Sequence, residues 1–143
     1  MEALIKFSKN IRCIFESKKD QIDLPFFYSF PKNSCQSATC FHAILVREKF
    51  QHMQVVHGYN REGDENHYWL EVEGLVFDIT CDQFETISIP IYGVKAHPMA
   101  AYFNHVNRFS VVNFVVNYLE NVADIELFYK SKINILSWLE TNG

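Results

Sequence analysis

Residues 67–80 leave this chain little freedom. His67-Tyr68-Trp69-Leu70-Glu71-Val72 and Leu75-Val76-Phe77-Asp78-Ile79-Thr80 flank Glu73-Gly74. Two runs rich in β-branched and aromatic residues around a two-residue acid–glycine spacer specify an antiparallel hairpin. Val72 then pairs with Leu75, Trp69 stands opposite Asp78, and His67 opposite Thr80. Side chains alternate between the faces of a strand. One face therefore carries Tyr68, Leu70, Val72, Leu75, Phe77 and Ile79, and must be the core side. The other carries His67, Trp69 and Asp78.

On that second face His67 and Asp78 are diagonal neighbours, roughly 5–8 Å apart at Cβ. The acid can accept a hydrogen bond from one imidazole nitrogen and fix the ring's tautomer. A charge inside Val76-Phe77-Asp78-Ile79 needs such a partner. Of the other histidines, His42, His52, His57, His97 and His105 show no carboxylate partner in the sequence, and His57 is the nearest rival.

The rest of the chain supplies mostly helices. Leu4, Phe7, Ile11, Ile14 and Phe15 recur at helical intervals up to Lys19-Asp20. Leu24 to Pro31 is an aromatic cluster between two prolines and reads as an extended loop. Asn33-Ser34 is a helix-start signal, followed by the stripe Ala38, Phe41, Ile44 and Leu45. Met53 to Tyr59 reads as a strand. So does Thr86 to Tyr92, with Pro90 marking an edge or a strand end. Pro98, Met99, Tyr102, Phe103 and Val106 fit a short helix. Two more follow, over Val111 to Val122 and from an Asp124 cap. Adjacent strands and short turns give an α+β fold: a small antiparallel sheet of three to four strands with N- and C-terminal helices. At 143 residues, the chain reads as one domain, 1–143.

Cys35 falls in the first turn of the second helix. Helix-start N–H groups and the helix dipole favour a thiolate there and can receive a developing oxyanion. If that helix start meets the His67/Asp78 face, a nucleophile, a base and an orienting acid are assembled. Cys13 and Cys40 read as core thiols, and Cys81 as packing.

Three segments carry a family likeness: Asn33-Ser34-Cys35-Gln36-Ser37-Ala38-Thr39, His67-Tyr68-Trp69-Leu70-Glu71-Val72, and Phe77-Asp78-Ile79-Thr80-Cys81-Asp82-Gln83-Phe84. Together they resemble the transglutaminase-like branch of the papain-like cysteine-enzyme superfamily, particularly its small bacterial members. The resemblance covers roughly residues 28–92. It implies nucleophile Cys35, base His67 and orienting acid Asp78, with acyl-transfer chemistry on amide or thioester carbonyls and no cofactor. The glutamine that papain-type enzymes carry just before the nucleophile is absent, as is the Arg-Gly-Gly stretch of arylamine acetyltransferases. Gln83, Gln36 and Trp69 are the candidates for oxyanion or substrate-lining roles.

Other classes fit less well. The net charge is −4 and no basic face is evident, which argues against nucleic acid. Glu62 to Val94 holds eight acids and no Lys or Arg, the pattern of a solvated acidic face or of a surface for a basic partner. No apolar run approaches a membrane span and no signal-peptide layout opens the chain, so a cytoplasmic protein with reduced thiols is expected. Cys35, Cys40 and His42 lack zinc-ligand spacing, and no metal is expected. The reading is thus a thiol hydrolase acting on a peptide or protein: a peptidase or glutamine deamidase, or else a transglutaminase. Its rival is an inactive papain-like fold used as a protein-binding module.

Overall fold

The structure is a computed structural model and describes residues 1–142. Four α-helices cover one face of a five-stranded antiparallel sheet. The elements are α1 (Glu2–Lys18), α2 (Cys35–Arg47), β1 (Met53–Asn60), β2 (Glu65–Val72), β3 (Leu75–Asp78), β4 (Ile91–Val94), β5 (His105–Phe109), α3 (Val111–Asn121) and α4 (Ile125–Asn142). The strand order is β4-β3-β2-β1-β5. The α+β class is as expected, but the sheet has five strands rather than three to four. Among the described residues no helix is long and apolar enough to cross a membrane.

The hairpin forms in the expected register, with Val72 opposite Leu75 and Leu70 opposite Phe77. Glu73 and Gly74 both take positive φ, 51° and 80°. That is the two-residue turn whose twist matches the strands. Leu70, Val72, Phe77 and Ile79 enter the main core with Phe41, Leu45, Phe15 and Phe128 from the helices. Three hydrogen bonds, two of them buried, tie the helices to one another and to the sheet. Ser8 Oγ meets His42 Nε2 at 2.8 Å, Ser37 Oγ meets Tyr118 Oη at 2.6 Å, and Thr39 Oγ1 donates to the Tyr68 carbonyl at 3.2 Å.

Four expectations are corrected. Residues 24–31 are not extended but wind through successive turns, burying Phe27 and Phe30 and leaving Phe26 and Tyr28 exposed. The strand expected over 86–92 is confined to Ile91–Val94, because Pro90 cannot donate to the ladder. No helix starts at Pro98. Residues 98–103 are turns, and His105–Phe109 forms β5, paired antiparallel to β1. Cys13 is exposed rather than core, whereas Cys40 and Cys81 are buried.

The β5 position shapes the second face of the sheet. β4 and β5 lie on opposite edges, about 19 Å apart at roughly 4.8 Å per strand. The segment 95–104 must cross that width over the face not taken by the helices. It brings Met99 and Phe103 onto Trp69, Val56, Val76, Cys81 and Ile91 as a second, smaller core. The face carrying His67 and Asp78 is consequently roofed. A side-chain carbon at Gly58 would stand 2.6 Å from the Trp69 ring and 2.9 Å from Phe103 Cβ. Only glycine lets the roof sit that low.

Candidate active site

His67 on β2 and Asp78 at the end of β3 meet through a 2.6 Å hydrogen bond from Nε2 to Oδ2, with the side chains 0% and 1% exposed. The strand pairing supplies this geometry, since Leu70–Phe77 pairing puts Trp69 and Asp78 side by side and His67 on the adjoining diagonal. Asp78 Oδ1 also accepts the Thr80 N–H at 3.1 Å and lies 3.4 Å from Thr80 Oγ1. Burial opposes ionisation of Asp78, but the His67 charge and bond, with His97, outweigh it and hold the carboxyl far below its usual range.

Cys35 is the first residue of α2 and half-buried. Its thiol lies close enough to the His67 ring to act on the imidazole's charge. Because Nε2 is committed to Asp78, the nitrogen left for the thiol is Nδ1. Burial works against a charged His67; Asp78 and Cys35 prevail and raise its pKa well above the ordinary imidazole range. The α2 start carries no side-chain cap, and the buried Ser34 hydroxyl in the N-cap position has no partner. The leading N–H groups of the helix therefore stay uncapped beside the thiol.

Gln83 sits across this junction. Its Nε2 lies 3.4 Å from His67 Nδ1, and its Oε1 lies 3.4 Å from the Asn33 N–H in the loop leading to Cys35. Gln36 lines a cavity of about 270 Å³ with His57, Tyr68, Asn113, Asn117 and Tyr118 among others. The Tyr68 phenol feels burial first and then the Cys35 charge, both raising it. Trp69 of β2 lies buried beneath the crossing segment, with its Nε1 unpartnered.

Arg12 of α1 anchors the segment that follows Asp78. It donates to the Ile79 carbonyl and to both oxygens of Asp82, at 2.7 and 2.8 Å, and also pairs with Glu16. Its guanidinium lies 4.7 Å from the Phe30 ring centre, so one side chain braces both the Gln83 turn and the loop before Cys35. The acidic segment is thereby less solvated than its composition implies. Asp78 is buried, Asp82 holds Arg12, and Glu71 holds Arg108 at 2.8 Å.

His97 is the residue missed in the sequence, and the expectation that it lacks an acid is corrected. Its Nε2 lies 2.7 Å from Asp78 Oδ2, the oxygen that His67 already uses. The signal is invisible locally, because the partner is 19 positions away and reaches it only through the crossing segment. His57 instead bonds Asn66 Oδ1 at 2.6 Å and stacks on Tyr68.

Cys35, Cys40 and His42 are not brought together as ligands. Burial pushes the Cys40 thiol up to about 12, and His42 is committed to Ser8. Among the described residues the cluster with converging ligand atoms is His67, Asp78 and His97. Its nitrogen–oxygen separations of 2.6 and 2.7 Å are hydrogen-bond lengths. No family model, no curated protein and no solved structure matches this chain.

Proposed function

We propose that the protein is a cysteine-dependent acyl-transfer enzyme of the transglutaminase-like kind, with Cys35 as nucleophile, His67 as base and Asp78 as orienting acid. The observation that carries this is the bonding of one buried imidazole to Asp78 through Nε2, with the helix-start thiol of Cys35 close enough to raise the same imidazole. His67 Nδ1 takes the thiol proton, and Sγ attacks a carbonyl carbon. The carbonyl electrons move to oxygen, where the uncapped N–H groups of α2 and the Gln83 amide can receive them. Collapse breaks the C–N bond, and His67 returns the proton to the leaving amine. Water then attacks the thioester, giving its proton to Nδ1, and releases the acid and the thiol. Throughout, Nε2–H stays with Asp78. Hydrolysis of a peptide or side-chain amide is the preferred outcome, because water needs no second binding site.

Thiol labelling tests this. Exposure alone would make Cys13 the first of the four cysteines to react with iodoacetamide, since Cys35 is only half-exposed. Activation by His67 should reverse that order, with Cys35 labelled about tenfold faster. His67→Ala should restore the order set by exposure. Cys13 reacting first in the unaltered protein would instead leave the papain-like binding module, with its acidic segment facing a basic partner.

A further inference from the structure

Asp78 serves two imidazoles, and the second is fixed at both ends. The Met99 N–H donates to His97 Nδ1 at 3.0 Å, so that nitrogen carries its lone pair and the ring proton is on Nε2. Nε2–H then donates to Asp78 Oδ2 at 2.7 Å. The Trp69 ring, with its centre 4.4 Å away, closes one side. His97 is 5% exposed. We propose that His97 is a positioning residue that keeps Asp78 ionised and aimed while His67 gives up and regains its proton. The inference rests on the catalytic reading of Cys35 and His67.

The physical need is specific. When His67 hands its Nδ1 proton to a leaving group it becomes neutral, and Asp78 loses its counter-charge inside a dry roof. A buried carboxylate in that state either draws a proton or turns away, unless fixed dipoles hold it. The Thr80 N–H and His97 Nε2–H are those dipoles, one on each oxygen. Other charged or titratable groups bear on Asp78 more distantly. His42 on α2 faces it from beneath the sheet, Cys81 donates to its backbone carbonyl, and Asp82 is neutralised by Arg12 of α1. None of these donates to the carboxylate.

The test is the pH profile of Cys35 alkylation by iodoacetamide, read by peptide mapping in the full-length protein. His97→Leu keeps bulk and removes the donor. His97→Gln keeps an N–H at the position of Nε2. Removing the donor makes Asp78 the stronger base, so it draws the His67 Nε2 proton toward itself and weakens the imidazolium charge that faces the thiol. The acid limb of His97→Leu should therefore move up by about one pH unit, with about tenfold slower labelling near pH 6. Its rate at the alkaline plateau should stay close to that of the unaltered protein. His97→Gln should follow the unaltered profile. A His97→Leu profile that superimposes on the original, one depressed equally at every pH, or a His97→Gln variant as impaired as His97→Leu would each overturn the proposal.

A variant that fails to fold leaves a second measurement on the unaltered protein. Long-range 15N–1H spectra should show His97 with a bare Nδ1 and a protonated Nε2. The opposite tautomer overturns the proposal. That spectrum is independent of whether Cys35 outpaces Cys13, so failure of the enzyme reading is told apart from failure of the His97 role.

Discussion

Each residue of the site is held by something that the sequence reveals to a different degree. His67 and Asp78 are readable because a two-residue turn fixes the parity of the hairpin, and parity fixes the face. Cys35 is readable because Asn33-Ser34 announces a helix. His97 is not, because nothing within a few positions of it points to an acid. Gln83 lies between these cases: its place after the acid strand is evident, but its reach to both Asn33 and His67 Nδ1 emerges only when the turn folds back. If Gln83 steadies the oxyanion, its loss should separate two chemistries. Alkylation by iodoacetamide forms no oxyanion, whereas thioester formation from p-nitrophenyl acetate does. Gln83→Ala should leave the first within about twofold and slow the second by about a hundredfold. Equal slowing of both would assign Gln83 a packing role.

Among the elements, those defined by their own periodicity were legible and those defined by distant pairing were not. α1, α2, α3 and the hairpin announce themselves through apolar spacing. β5 does not, because all five of its residues are exposed and no alternation marks it. Pairing with Val55–Tyr59 of β1 makes it a strand. The spacing of Met99 and Phe103 imitates a helix because turns packed over a sheet also place a side chain inward every few residues. The helix interface offers its own test in the buried Ser8–His42 pair. Burial lowers the His42 pKa to about 4, against a weaker upward pull from Asp78. An unfolded histidine titrates near about 6.5. The folded value lies below the unfolded one, so this contribution is complete above about pH 6.5 and falls as the pH drops toward 4. Between those limits it is on the order of 3 kcal/mol. Urea unfolding should show the unaltered protein losing about that much more stability than His42→Gln from pH 7 to pH 4. Parallel losses would mean that His42 is not held neutral.

At the scale of the whole molecule, one cavity flanks the start of α2 next to Cys35 in the chain, since Gln36 lines it. It is bounded by Gln36, Tyr68, Asn113 and Asn117, and no Asp, Glu, Lys or Arg lines it. Two other cavities are lined by Arg47 at the far end of α2, about 18 Å along the helix from Cys35 at 1.5 Å per residue. An uncharged wall penalises a charged guest, which would shed water without gaining a counter-ion. Peptide chloromethyl ketones with Phe, Glu or Lys beside the reactive group should therefore label Cys35 unequally. The aromatic compound should react at least about tenfold faster than either charged one. Equal rates would show that the acyl side chain binds elsewhere.

The roof pressed onto Gly58 has one more consequence. With His67, Asp78 and His97 almost wholly out of water and rings stacked over them, only Cys35 and Gln83 of this group keep partial contact with solvent. Any proton that joins or leaves the chain of hydrogen bonds has to travel by that single doorway. The traffic is then governed by whatever sits on the sulfur, so an acylated enzyme and a free one should exchange their innermost imidazole protons with water at different speeds.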